Sequence, residues 1–244
     1  MSMPSPLPTL VLATRNQHKL GEIRAILGEG FRYMTLHDLA GAPTVAEDAA
    51  TFAGNSAKKA VQLARWLAAT QNSKLKTQNC FVLADDSGLE VDALNGAPGV
   101  HSARFAALDM GAESAPAGNS LDLDNNAKLL RLLKDLPPEK RTARFLCVLA
   151  LTPILATSRQ NASPVCYADE FEMQTELFEG ACGGRIGFAP RGRGGFGYDP
   201  LFIPNNFEQT FGELGEEVKN RLSHRAKALA KLKGWLDSRF AVST

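Results

Sequence analysis

The sequence predicts an α/β protein with a mixed sheet. Short apolar runs alternate with helix-periodic segments at the front of the chain. Two longer strand-like runs, 142–151 and 166–178, follow one another in the middle, and an apolar-striped helix closes the chain. This order excludes a helical bundle or an all-β sandwich. No linker-like stretch marks a boundary, so residues 1–244 read as one domain with a loose, Pro-rich lead-in over 1–8.

Leu10–Ala13 is a short buried strand, followed by a helix with Leu20, Ile23, Ile26 and Leu27 at helical spacing. Thr51 is a suitable N-cap for a second helix running through Leu67. Its apolar face collects Ala57, Ala60, Val61, Ala64, Leu67 and Ala68, with Asn55, Lys59 and Gln62 on the opposite face. Phe81–Ala84 is a buried strand that Ser87-Gly88 is expected to break as a turn. A third helix spans 121–134, with Leu121, Leu129, Leu130, Leu132 and Leu133 on its apolar side, ending before Pro137-Pro138. The segment 183–197, with seven glycines and three arginines, reads as irregular, and Tyr198–Ile203 as a short strand containing Pro200. The last helix starts near Ser223, with Ala226, Leu229, Ala230, Leu232 and Leu236 on one face. Residues 70–79 and 107–120 read as loops.

The 27 Lys plus Arg balance 26 Asp plus Glu, for a net charge of +1. That balance lacks the basic footprint of a protein that binds nucleic-acid polymers. No apolar run is long enough to span a bilayer, and the N-terminus lacks signal-peptide character. Cys80, Cys147, Cys166 and Cys182 are widely separated and read as reduced thiols of a cytoplasmic protein. His18, His37, His101 and His224 show no zinc-ligand spacing.

Four constellations carry candidate chemistry. The most informative is Asp85-Asp86 at the end of an apolar strand. Buried carboxylates need a partner, and Asp oxygens suit Mg²⁺, which commonly accompanies a phosphate substrate. Thr14-Arg15-Asn16-Gln17-His18-Lys19 lies at a strand-to-helix turn, where Asn16 caps the helix and Arg15 and Lys19 add positive charge beside an anion-attracting terminus. It also reads as an ordinary cap with solvated basic residues. Glu47 precedes the helix that carries Lys59, where a carboxylate also serves simple capping. Gly194–Pro200 surrounds Phe196 and Tyr198 with glycines, which lets a flat ligand approach; a surface turn has the same composition. Lys219 and Ser223-His224-Arg225 open the last helix. Cations in a first turn oppose the helix dipole at a cost of roughly 0.3–1 kcal/mol each, which an electron-rich ligand would offset.

In order, these are Thr-x-Asn-x-x-Lys, a Glu before Thr-Phe…Asn-x-x-x-Lys-Ala, Ala-Asp-Asp-Ser-Gly-Leu, Gly-Ala-Pro-Gly-Val-His-Ser-Ala-Arg, Gly-Phe-Gly-Tyr-Asp-Pro and Ser-His-Arg-Ala. Over Thr9–Trp235 the chain resembles the inosine triphosphate pyrophosphatase family, whose bacterial members are called dITP/XTP pyrophosphatases. The resemblance implies a homodimer with an elongated central sheet, flanked by helices in two lobes with an active-site cleft between them. It implies Mg²⁺-dependent hydrolysis of ITP, dITP and XTP to the monophosphate and pyrophosphate, cleaning the nucleotide pool. Carried over by motif, Thr14, Arg15, Asn16, Gln17, His18, Lys19 and Lys59 bind phosphates. Asp86 is catalytic base and metal ligand, Glu47 a second metal carboxylate, and Ser87 a substrate contact. Phe196, Gly197, Tyr198 and Asp199 line the nucleoside pocket with Lys219, His224 and Arg225. Arg15 departs from a frequent Gly, Glu47-Asp48-Ala49 from Glu-Thr-Gly, and the loops at 70–79, 107–120 and 153–164 are longer than in a compact member. The alternatives are a pyrophosphatase for other modified nucleotides and a non-catalytic nucleotide-binding sensor.

Overall fold

The computed structural model describes residues 7–70, 75, 79–109, 119–155 and 170–240. Six strands form one sheet in the order β2-β1-β3-β4-β5-β6, flanked by helices. They are β1 Thr9–Leu12, β2 Arg32–Thr35, β3 Cys80–Val91, β4 Thr142–Pro153, β5 Glu176–Ile186 and β6 Phe202–Pro204. The sheet is mixed: β1 pairs parallel with both β2 and β3, and β5 pairs antiparallel with β6. The helices are α1 Gln17–Leu27, α2 Phe52–Ala69, α3 Asp122–Leu132, α4 Glu170–Met173, α5 Phe211–Leu222 and α6 His224–Phe240.

Two compact units share this chain, one of residues 1–86, 148–178 and 231–244, the other of 87–147 and 179–230. Every crossing falls inside β3, β4, β5 or α6. A boundary placed within a regular element has no linker composition, which is why none is legible in the sequence. The first unit packs Val11, Leu63, Ala64, Leu67, Val82, Ala84 and Ala150 into its core. The second packs Leu89, Val91, Leu129, Phe145, Leu201, Phe202 and Phe211. Each of these Val, Leu and Phe side chains contributes roughly 1.5–3 kcal/mol when removed from water.

Several sequence-based expectations are corrected. Asp-Asp-Ser-Gly does not turn: β3 runs unbroken for 12 residues and is buried along almost its whole length. Leu89 and Val91, both fully buried, hold the chain extended beyond Gly88, so burial overrides turn propensity. The segment from Gly183 to Ile186 is strand, not irregular coil. A side chain at Gly184 would overlap the Ile203 carbonyl of the adjacent strand, so this glycine serves close approach and not flexibility. The strand expected over 166–178 begins only at Glu176, after the short α4; Cys166–Asp169 lie outside the described residues. Likewise β6 starts at Phe202, not Tyr198.

On α3 the expected apolar side is only partly right. Leu129 and Leu133 are buried, but Leu121 and Leu132 are exposed. Asn125, Asn126 and Lys128 occupy the buried face instead. Lys128 Nζ donates to the Phe105 carbonyl at 2.7 Å, and Asn125 Oδ1 accepts from the Ala106 amide at 2.8 Å. On α6, Ala228 is buried in place of Ala230. Asn55 is buried rather than solvent-facing, with its Oδ1 accepting from the Ala49 amide at 2.9 Å.

Candidate active site

In the first unit the site grows from two strand-to-helix transitions. After β1, Asn16 Oδ1 accepts from the amides of His18 and Lys19, at 3.0 and 3.2 Å, and starts α1 as expected. The Asn16 amide donates to Thr14 Oγ1 at 3.1 Å, which folds the turn on itself. Arg15, Gln17 and His18 are exposed there, and Gln17 Nε2 lies 3.4 Å from His37 Nε2. Thr51 caps α2 by accepting from the Gly54 amide at 3.0 Å. Helical spacing then delivers Lys59 on the same face as Asn55.

Successive side chains on a strand point to opposite faces, so β3 hands its two carboxylates to different helices. Asp85 forms an ion pair with Lys19 of α1. Lys59 of α2 donates to Asp86 Oδ1 at 3.1 Å and to the Asp85 carbonyl at 2.8 Å, and lies 3.5 Å from Glu47 Oε1. Asp86 Oδ2 is buried with no hydrogen-bond partner. Burial holds the Asp86 carboxyl above the ordinary carboxylate range and the Glu47 charge adds to this; Lys59 and Lys19 pull it back down. The pairing of Asp85 with Lys19 was not foreseen from sequence, although the adjacent acidic pair was its signal.

Lys19 and Lys59 face Asp85, Asp86 and Glu47, two positive charges against three negative. Among the described residues, no group of three or more His, Cys, Asp or Glu side chains converges into a metal cage. Two carboxylates, one with an unmet buried oxygen, fit Mg²⁺ all the same, because that ion keeps several waters and draws other ligands from phosphates. At the departures from the family pattern, Asp48 pairs with Lys58 at 2.5 Å and Asn55 holds the Ala49 amide, so this backbone is tied to α2.

The second unit carries the aromatic half of the constellation. Asp199, buried, accepts from the Phe196 amide at 2.8 Å and from Lys219 Nζ at 2.6 Å. The Lys219 ammonium lies 4.5 Å from the centroid of the Phe196 ring, and the Arg225 guanidinium 5.9 Å from it. Tyr198, also buried, donates its hydroxyl to the Ser102 carbonyl at 2.9 Å; burial and the Asp122 charge push its phenol up. Ser102 belongs to the Gly-Ala-Pro-Gly-Val-His-Ser-Ala-Arg motif and accepts from the Leu89 amide at 2.9 Å. That motif therefore braces the aromatic loop against β3.

Ser223 caps α6, its Oγ accepting from the Ala226 amide at 3.1 Å. His224 and Arg225 thus sit in the first turn as expected, but both are buried and have structural contacts of their own. His224 stacks on Phe145 with centroids 4.8 Å apart, and Arg225 Nη2 donates to Ser87 Oγ at 2.8 Å. The helix preceding them, α5, was not anticipated. Its signal was the Thr210-x-x-Glu213 capping box, in which Glu213 accepts from the Thr210 amide at 2.8 Å.

The sequence model of the Ham1 family matches residues 10–235. The dITP/XTP pyrophosphatase of Opitutus terrae is 40% identical over 233 residues, spanning 93% of this chain and 97% of the relative. That of Geobacillus kaustophilus is 43% identical over 224 residues, 91% of each chain. Among solved structures, a HAM1 protein from Coxiella burnetii superposes with a TM-score of 0.71 at 32% identity, over 95% of this chain and 99% of that one. With its motifs in order and these likenesses across nearly its full length, the chain belongs to the Ham1 family.

Proposed function

We propose that this protein hydrolyses deaminated purine nucleoside triphosphates (ITP, dITP and XTP) to the monophosphate and pyrophosphate, removing them from the nucleotide pool. The carrying observation is Asp86: a buried carboxylate, ion-paired to Lys59 on one oxygen and unmet on the other. The relatives named as dITP/XTP pyrophosphatases support the substrate class.

Asp86 and Glu47 would hold a Mg²⁺ ion, which when bound would offset phosphate charge. Lys59 favours the ionised form of Asp86 against the burial that opposes it, and the carboxylate orients a water and takes its proton as the water oxygen attacks the α-phosphorus. The bond to the bridging oxygen breaks, and pyrophosphate leaves toward Lys19, Arg15 and the capped start of α1. Asp85 holds Lys19 in place before substrate arrives. In the second unit, Phe196 offers a face for the base. Arg225 and His224 offer donors suited to the 6-oxo acceptor of hypoxanthine and xanthine, where adenine carries an amine. Dimerisation and a cytoplasmic location belong to the same proposal. Among the described residues no helix is long and apolar enough to cross a membrane.

The test is kcat/KM for ITP, dITP and XTP against ATP. A buried donor left unpaired by the wrong base costs about 1–3 kcal/mol, so discrimination of roughly 5- to 150-fold per donor is expected. Equal values for ITP and ATP would overturn the substrate assignment.

A further inference from the structure

The first turns of α3 hold Gly197 by both of its backbone polar groups. Gly197 donates its amide to Asp122 Oδ2 at 2.6 Å, and its carbonyl accepts from Asn126 Nδ2 at 2.9 Å. Asp122 and Asn126 are four residues apart on one helix face, so a single rigid element supplies both contacts. Asn126 is only 4% exposed. The residue they hold is conformationally unusual, with Gly197 at φ +61°, a backbone state that L-residues rarely adopt.

On either side of Gly197 stand residues with different duties. Tyr198 and Asp199 are anchored in the core through Ser102 and Lys219. Phe196 is only half-buried, and its ring faces Lys219 and Arg225. Its amide donates to Asp199 Oδ2, and the peptide that follows it donates to Asp122 Oδ2 of α3. Hydrogen-bond discrimination between bases depends on donor placement to within a fraction of an ångström. A loosened Gly197 peptide lets the Phe196 ring shift relative to Arg225.

We propose that Asp122 and Asn126 are positioning residues that set base selectivity by clamping the Gly197 backbone, without touching substrate themselves. This rests on the nucleotide hydrolysis proposed above and deepens it, since no sequence motif singled out either residue. Because both hold the backbone of one residue from one helix, their effects are coupled: the double variant should be little worse than the more severe single one.

The experiment compares Asp122→Ala, Asp122→Asn, Asn126→Ala and the double alanine variant with wild type, using ITP and ATP and recording melting curves. Each alanine variant should lower kcat/KM for ITP by roughly tenfold, the equivalent of one lost hydrogen bond, and leave ATP within about twofold. Asp122→Asn keeps an acceptor for the Gly197 amide and should retain most ITP activity. Asp122 is exposed at the helix start, so its substitution leaves the fold intact even if Asn126→Ala does not. Equal losses on both substrates, unchanged ITP kinetics, or failure of Asp122→Asn to rescue would each overturn the clamp's role in selectivity. If wild type turns over neither ITP nor XTP, the hydrolysis reading has failed instead. The clamp is then judged by calorimetric binding of IMP against AMP, where a preference for IMP lost in the alanine variants supports it. No such preference in wild type, or one unchanged in the variants, overturns it.

Discussion

Lys59 Nζ lies 3.1 Å from one oxygen of Asp86, while the other oxygen of that carboxylate is buried and unmet. The lysine holds the charge in place, and the unmet oxygen leaves coordination capacity beside it. Such a group is costly to the fold, because burial penalises its ionised form.

Asp86→Asn keeps the shape of the side chain but removes the charge that would bind a metal and activate water. Turnover of ITP should fall by at least ~10², as for a lost general base. Asp85→Asn should cost less, and through a different parameter: freeing Lys19 from its partner should act mainly on KM. Steady-state kinetics of the two variants reads this directly, and wild-type turnover in Asp86→Asn would contradict the assignment.

The same substitution should stabilise the metal-free protein. A carboxyl whose pKa is raised in the fold binds its proton more tightly folded than unfolded. The stability penalty is therefore full above the folded pKa and vanishes below the ordinary carboxylate range. In chelator at neutral pH, Asp86→Asn should melt above wild type, by roughly 2–4 °C for each kcal/mol removed, and the gap should close on acidification. Melting curves across pH check the sign.

Arg225→Ala removes a donor proposed to read the 6-oxo group and the contact to Ser87 Oγ. ITP kcat/KM should fall roughly 10- to 150-fold, with ATP affected much less. Because Arg225 is buried, a lowered melting temperature should accompany this, unlike Asp86→Asn. An equal fall on both substrates would assign Arg225 to phosphate binding or structure.

Arg141 provides a contrast without a site role. It is almost fully buried and donates to the carbonyls of Ile186, Leu133 and Gly187 at 2.9, 2.8 and 2.7 Å. Arg141→Met strands three acceptors at about 1–3 kcal/mol each, so the melting temperature should drop by several degrees. The ITP/ATP ratio of kcat/KM should stay unchanged.

What was legible in the sequence follows from where local chemistry decides the outcome. Asn16 and Thr51 were readable as caps because their hydrogen bonds are to amides two or three residues away. The extension of β3 through Ser87-Gly88 is not legible locally, because it depends on burial of Leu89 and Val91 among residues distant in sequence. The polar face of α3 was invisible for a similar reason: Asn125, Asn126 and Lys128 bind carbonyls and amides that only the tertiary fold brings to them. Residues of both clusters could be named from motifs, but the division of Asp85 and Asp86 between Lys19 and Lys59 required the strand's alternation to be seen in place.

The most direct measurement identifies the products released from ITP in the presence and absence of Mg²⁺. IMP and pyrophosphate in equal amounts, formed with Mg²⁺ and abolished by chelator, are the expected result. Orthophosphate and IDP as primary products would place the cut between the β and γ phosphates and contradict attack at the α-phosphorus by water held on Asp86.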